Sequence, residues 1–269
     1  GLAPVLLPAW LRMMPAAMLR WGRDEPRRLW QRLAPALLLL ALAAVVLPIA
    51  LYQAYGTVRP LVLLALLGAS AAAAGTLQAA VQRLRSGRLG ARAAGMLLAH
   101  AGVAVLAVGM ALVKGYGIER DVRLAPGDHH TVGGCDLRFD GLDMGSGPNW
   151  QAQVGRFTLR CPGDAPRQLV SEKRRYIGTS MPMTESAIDA GLARDIYVAL
   201  GSPQDGDAWG VRVQYKPFVR WIWVGVMLMA AGALLAAGAA RRAPQPRSQP
   251  RPQGLPGTPG TGGPPVSLA

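Results

Sequence analysis

GMLLAHAGVAVLAVGMALVKGYG, residues 95–117, decides how the rest of the chain is read. A helix needs about 20 apolar residues to cross roughly 30 Å of hydrocarbon, and this stretch supplies them, yet it carries an imidazole, His100. Taking residues 95–114 as a membrane span, three similar stretches stand around it: 34–52, 61–80 and 218–240. Residues 1–19 are apolar but interrupted by three prolines and Arg12, and read as the tail of an earlier span. The cations orient the spans. Arg20, Arg23, Arg27, Arg28 and Arg32 precede the first, Arg83, Arg85, Arg88 and Arg92 separate the second from the third, and Arg241 and Arg242 follow the fourth. The connection 53–60 holds only Arg59. The positive-inside rule puts the three clusters in the cytoplasm, and the parity agrees, because spans one and two form a hairpin, span three exits and span four returns. Residues 115–217 are then expected on the outer side, the periplasm of a Gram-negative cell.

That outer region reads as β. Alternation runs through CDLRFDGL (135–142), WQAQVGRFTLR (150–160), RQLVSEKRRY (167–176), RDIYVAL (194–200) and WGVRVQYK (209–216), punctuated by Gly, Pro and Asp clusters. Short strands at this spacing predict a small barrel or sandwich. MPMTESAIDAGLA (181–193) is less strand-like and is expected to hold one helical turn. The fold class is therefore a membrane α-helical protein with about four spans and possibly part of a fifth, carrying an inserted all-β domain. The expected division is a partial span and basic loop (1–33), three membrane helices (34–114), a periplasmic β domain (115–217), a last membrane helix (218–240) and a disordered tail (241–269), whose Pro, Gly, Gln and Ser cannot bury a core.

Composition agrees. Half the chain is apolar and the net charge is +14, and the Arg residues cluster at span ends rather than on one face with interleaved aromatics, which argues against nucleic-acid binding. The chain begins with Gly and shows no signal peptide, so it is expected to be the back end of something longer. Cys135 and Cys161 are too few for a disulfide scaffold and are not spaced for metal. They are read either as a bridge, if their region lies outside the cytoplasm, or as two half-buried thiols.

Among candidate site residues His100 comes first, because an ionisable group inside a membrane needs a compensating role. On a helical wheel it shares a face with Met96, Ala104, Ala107 and Ala111, small enough to leave a slot beside the ring, while Gly95, Ala99, Gly102 and Gly109 on the opposite face permit close helix packing. A neutral imidazole beside a dry slot suits an axial bond to haem iron. The residues themselves leave open a ligand, a proton-relay group, and a histidine bonded to a carbonyl or Ser of another helix. His129 and His130 would point to opposite faces of a strand, a poor chelating pair, and are expected as solvated turn residues after PGD. In SEKRRY (171–176), Glu172 and Arg174 share one strand face with Tyr176 and Lys173 and Arg175 the other, which is either a solvated strand or a docking surface for acidic groups such as haem propionates. In KPFVRWIWVG (216–225), Lys216 and Arg220 are expected to reach headgroups, with Trp221 and Trp223 in the interfacial belt. No nucleophile–base pair, phosphate-binding Gly loop or intramembrane carboxylate pair is visible, and no residue is assigned a catalytic role.

The stretches RWGRDEPRRLWQRL (20–33), GMLLAHAGVAVLAVG (95–109), ERDVRLAPGD (119–128), GPNWQAQVG (147–155), SEKRRY, PMTESAIDAGLARDIYVALG (182–201) and VRVQYKPFVRWIWVGVMLMAAG (211–232), in this order, resemble the C-terminal part of the CcmF/NrfE family, the large multi-span haem lyase subunits of bacterial cytochrome c maturation. The likeness runs from about residue 16 to residue 242. It implies an inner-membrane protein that takes haem from a periplasmic haem chaperone and joins it to the C-x-x-C-H motif of apocytochrome c. It also implies a membrane haem b, ligated by two intramembrane histidines, that passes electrons to keep the substrate haem iron reduced. The second of those histidines occupies the LAH-G-AV position, here His100.

The partners implied are that chaperone, apocytochrome c with its thiol-handling and chaperone subunits, membrane lipid and the remaining N-terminal part of the same protein. The family's tryptophan-rich segment, its other intramembrane histidine and its two periplasmic histidines are not in this sequence, so a haem lyase subunit incomplete and inactive by itself is expected. The alternative is a non-catalytic membrane assembly protein whose β domain docks components of the machinery. His129, His130 and Cys135 match no family motif position. Ser171 stands where the family often has proline, a difference expected to be without consequence.

Overall fold

A computed structural model describes residues 26–241 apart from Arg88 and Ser180. The partial span expected over 1–19 and the tail expected after Arg241 lie outside these residues. Four helices are long and apolar enough to cross a membrane: α1 (Pro26–Tyr55), α2 (Pro60–Arg85), α3 (Ala91–Tyr116) and α4 (Val219–Arg241). They run past the apolar stretches into flanking basic residues, since Arg is a good helix former and a terminal turn needs no apolar side chain. Pro60 opens α2 at a first-turn position where its missing N–H costs nothing.

α3 and α4 pack through glycines seven residues apart. A Cβ on Gly102 would lie 2.7 Å from Gly225 O and 2.8 Å from Met229 N, and one on Gly95 would lie 2.6 Å from Gly232 O. The backbones themselves are therefore in contact, a packing open only to small residues. Towards the C-terminal end of α3, Leu112 and Tyr116 join Leu51 of α1 and Val62 and Leu66 of α2 in one cluster. Tyr116 stacks on Tyr55 with ring centroids 4.0 Å apart. Its hydroxyl donates to Thr57 O and accepts from Arg59 N, which ties the α1–α2 connection down onto α3.

Residues 118–217 form a β-sandwich. One sheet has the order β1 (Ile118–Leu124), β9 (Trp209–Pro217), β8 (Arg194–Pro203), β7 (Ala187–Ala190); the other is the meander β2 (His129–Val132), β3 (Cys135–Ser146), β4 (Trp150–Arg160), β5 (Arg167–Tyr176), β6 (Met183–Glu185). Every pairing is antiparallel. Alternate residues fill the core: Leu137 and Phe139 of β3, Phe157 and Leu159 of β4, Ile196, Val198 and Leu200 of β8, Val211 and Val213 of β9. Phe139 and Phe157 are register partners with centroids 5.1 Å apart. Because Ile118 pairs with Tyr215, the connections to α3 and α4 leave the same end of one sheet, and the sandwich sits over that helix pair. Val132-Gly133-Gly134-Cys135 is a two-residue hairpin with both glycines at positive φ (56° and 80°), which side chains rarely adopt. The Gly133 Cα faces the Tyr215 ring so closely that a Cβ would collide with it.

The helical turn expected in 181–193 is not there. β6 pairs with β5 and β7 with β8, the chain crossing between sheets at Ser186. Ala187 and Asp189 point in while Ile188 and Ala190 point out. That alternation is hidden in the sequence because the inward residue is a carboxylate and the outward one an isoleucine. His129 and His130 are likewise strand residues rather than turn residues: the turn is 125–128, closed by Asp128 N to Ala125 O and by Ala125 N to the Asp128 carboxylate.

Candidate functional site

His100 lies in the third turn of α3 and is half-buried. Its Nδ1 is 2.8 Å from Met96 O, one helical turn back. A carbonyl only accepts, so Nδ1 carries the proton and Nε2 keeps its lone pair. The carbonyl belongs to the histidine's own helix, not to a neighbouring one. On the face that His100 shares, Ala104 and Ala107 are buried while Met96 and Ala111 are half-buried. The hydroxyls of α2 are satisfied within their own helix, Thr76 by Ala72 O and Ser70 by Leu66 O. Among the described residues the four spans contain no Asp or Glu, and no three His, Cys, Asp or Glu side chains come together as a metal cluster.

The membrane-proximal end of the sandwich holds a second group, of which the sequence singled out only the two cysteines, as a bridge or two half-buried thiols. Cys135 and Cys161, cross-strand neighbours beyond the Asp136–Arg160 pair, are joined as a disulfide. Arg194 Nη2 donates to Cys161 Sγ at 2.8 Å and lies 3.5 Å from Cys135 Sγ. Its Nη1 donates to Asp189 Oδ2, and Arg167 donates to Asp189 Oδ1 at 2.6 Å. Asp189 is only 5% exposed; burial pushes its carboxyl up, but the bonds from Arg194 and Arg167 outweigh this and hold it below the usual carboxylate range. The adjacent Asp195, 4% exposed, accepts from Gly191 N at 3.0 Å and from Arg220 of α4 at 3.3 Å. Nothing in the linear pattern marks these carboxylates as buried, since both alternate with apolar residues on edges that only the closed sandwich covers.

Arg220 is thus paired inside the protein, and Lys216 lies over the Tyr197 ring, 4.5 Å from its centroid. β8 brings Asp195 and Tyr197 beside the start of α4, so both cations have protein partners while Arg220 stays 47% exposed. Trp221 Nε1 donates to Leu192 O, while Trp223 is 68% exposed and fits the interfacial belt. At the junction, Phe218 adopts φ 54°, rare for a bulky residue, held by Phe218 N to Ala193 O.

In SEKRRY the expected faces are found. Arg174 Nε donates to Glu172 at 2.7 Å and the guanidinium stacks 4.5 Å from the Trp150 centroid. Lys173 reaches the other sheet and donates to Gly201 O. Two of the three cations are therefore engaged within the domain, and Arg175 is exposed. Ser171, expected to be inconsequential, is fully buried and bridges the sheets: its hydroxyl donates to Glu185 O and accepts from Leu200 N, both at 2.9 Å. β7 begins at Ala187, opposite Val198, too late in the chain to reach that N–H, so the hydroxyl takes the place of a strand. His129 donates to Asp136 at 2.9 Å on the surface, and His130 turns to the opposite face.

The family model described as CcmF C-terminal beta-sandwich matches residues 115–217. The chain is 37% identical over 232 residues to the cytochrome c-type biogenesis protein CcmF of Escherichia coli, covering 84% of this chain and 35% of that protein. It is 48% identical over 138 residues to CcmF of Pseudomonas aeruginosa, covering 51% of this chain and 21% of that protein. A solved structure of cytochrome c heme lyase CcmF is similar in fold, with a TM-score of 0.71 at 22% identity over 87% of this chain and 39% of that one. The chain spans about a third or less of the length of these relatives.

Proposed function

The chain belongs to the CcmF family as a C-terminal part of such a protein, and from that premise we propose that it is the C-terminal portion of a membrane haem lyase of cytochrome c maturation. The whole protein would pass haem from a periplasmic haem chaperone to the C-x-x-C-H motif of apocytochrome c, with the N-terminal remainder supplying the parts absent from this sequence. His100 is the residue of this chain that would hold a membrane haem b, through its Nε2.

The observation that carries this reading is the bond from His100 Nδ1 to Met96 O. Metal-bound imidazoles characteristically donate the other ring N–H to a carbonyl or carboxylate, which fixes tautomer and ring orientation. Met96 O does that here, and Nε2 is left as the donor atom. A proton relay would want an acid partner, and the described spans have none. Haem bound there supplies a reversible one-electron couple. The chain's own contribution is to bind and orient: Met96 O fixes the tautomer, and the close α3–α4 contact keeps water from the far side of α3.

The disulfide supports the periplasmic placement of the sandwich, since such bridges persist in oxidising compartments. The test is the absorption spectrum of the whole protein, purified in detergent, with and without His100→Ala. The expected result is loss of the low-spin b-type bands at unchanged protein yield. Identical spectra would remove His100 from the ligand set.

A further inference from the structure

A disulfide within a domain core ordinarily has apolar neighbours. Here a guanidinium nitrogen is placed 2.8 Å from one sulfur and 3.5 Å from the other. A disulfide sulfur is a weak acceptor, so a buried cation gains little from it while the bridge is closed. The same cation is well matched to a sulfur bearing negative charge, because a neighbouring Arg favours thiolate over thiol. Arg194 is held in this position from behind by Asp189, whose second oxygen is occupied by Arg167. The charged and titratable groups around the sulfurs are Arg194 of β8, Asp189 of β7, Arg167 of β5, Asp164 in the β4–β5 turn and Tyr215 of β9. The two sulfurs also differ in access: Cys135 is 2% exposed and Cys161 is half-buried at the end of β4.

We propose that Cys135–Cys161 is an exchangeable redox bridge that opens to a dithiol, with Arg194 stabilising the sulfur that leaves. A thiolate of the incoming dithiol attacks Cys161 Sγ, the accessible sulfur. The bond between the two cysteine sulfurs breaks, its electron pair goes to Cys135 Sγ beside Arg194, and a mixed disulfide forms at Cys161. The donor's second thiolate then attacks its own partner sulfur and expels Cys161 as a thiolate beside the same nitrogen. The donor leaves oxidised to a disulfide, and the two electrons and two protons it gave up reside on Cys135 and Cys161. Exchange is faster as the leaving thiol becomes a better anion, which is the contribution of Arg194.

The experiment uses the full chain in detergent micelles, treated with dithiothreitol without denaturant. Free thiols are counted over time by the mass shift on maleimide labelling. The expected result is opening of both cysteines in the native protein, slowed about tenfold in Arg194→Gln and largely recovered in Arg194→Lys. A wild-type bridge that yields no thiols until denaturant is added overturns the proposal, as do equal rates in wild type and a folded Arg194→Gln. Should Arg194→Gln not fold, Cys135→Ser decides the matter by the pH profile of Cys161 alkylation. A midpoint well below the ordinary thiol value of about 8.5 upholds the proposal, and one at or above it overturns it.

Discussion

Ser171 and Asp189 show how much a single polar atom carries once a sandwich closes over it. The Ser171 hydroxyl is the partner of a buried strand N–H, Leu200 N, and removing it leaves that donor without a protein acceptor. Ser171→Ala is expected to cost about 1–3 kcal/mol, read as a lower melting temperature of the full chain in detergent by tryptophan fluorescence; an unchanged melt would mean the sheets are not joined through this hydroxyl. Asp189 gives a pH signature. Its carboxyl is held below the usual range in the folded protein, so its contribution is complete above the unfolded carboxylate value of about 3.9 and is lost as pH falls through the lower folded value. The full chain should therefore melt at one temperature from pH 7 to 5 and less stably below about pH 4, with that acid-side loss reduced in Asp189→Asn. An acid limb of equal size in the variant would assign it to other carboxylates. Neither residue was legible in the sequence, where Ser171 looks like a harmless replacement and Asp189 falls in the stretch expected to hold a helical turn. His100 was legible, because a titratable ring in a run of apolar residues is conspicuous without any knowledge of packing.

Elements divide along similar lines. β4 and β5 form where WQAQVGRFTLR and RQLVSEKRRY alternate, with Phe157 and Leu159 and then Leu169 and Ser171 turned inward, since both strands lie inside a sheet. β1, β6 and β7 are edge strands whose residues are mostly exposed or whose inward side chain is charged, so period two is weak in them. The glycines of α3 were readable as a packing face, although their partner was not: that α4 answers with Gly225 and Gly232 at the same spacing follows only from the antiparallel return of the chain. This crossing has a sharp consequence. A side chain on Gly102 meets backbone atoms of Gly225 and Met229, which cannot move aside as a flexible side chain would. Gly102→Leu must separate the helices and should lower thermal stability in detergent by more than the roughly 1–3 kcal/mol of ordinary overpacking. Ala101→Leu, at the half-buried neighbouring position about 100° round the helix, serves as the control; equal losses in the two variants would mean that the α3–α4 contact is not made through these glycines.

At the scale of the molecule, barrel and sandwich could not be told apart in advance, because the choice depends on whether β1 closes on β9 or on the other sheet, a contact between residues about 90 apart in the chain. What the sequence did carry is the sidedness. Arg83, Arg85, Arg92 and Arg241 gather at one end of the helix set, and the sandwich leaves from the opposite end of α3 and α4. A bilayer around the spans would then hold the Arg-rich turns on the cytoplasmic side, by the positive-inside rule, and the sandwich on the other. Two exposed residues test this: Thr179, in the turn after β5, and Ser86, at the end of α2. In a background with Cys135 and Cys161 bridged and unreactive, Thr179→Cys should be labelled by a membrane-impermeant maleimide in cells whose outer barrier alone is opened. Ser86→Cys should label only after the inner membrane is disrupted. The reverse order would turn the chain over, place the disulfide in a reducing compartment, and remove the reason for a periplasmic partner to meet the sandwich at all.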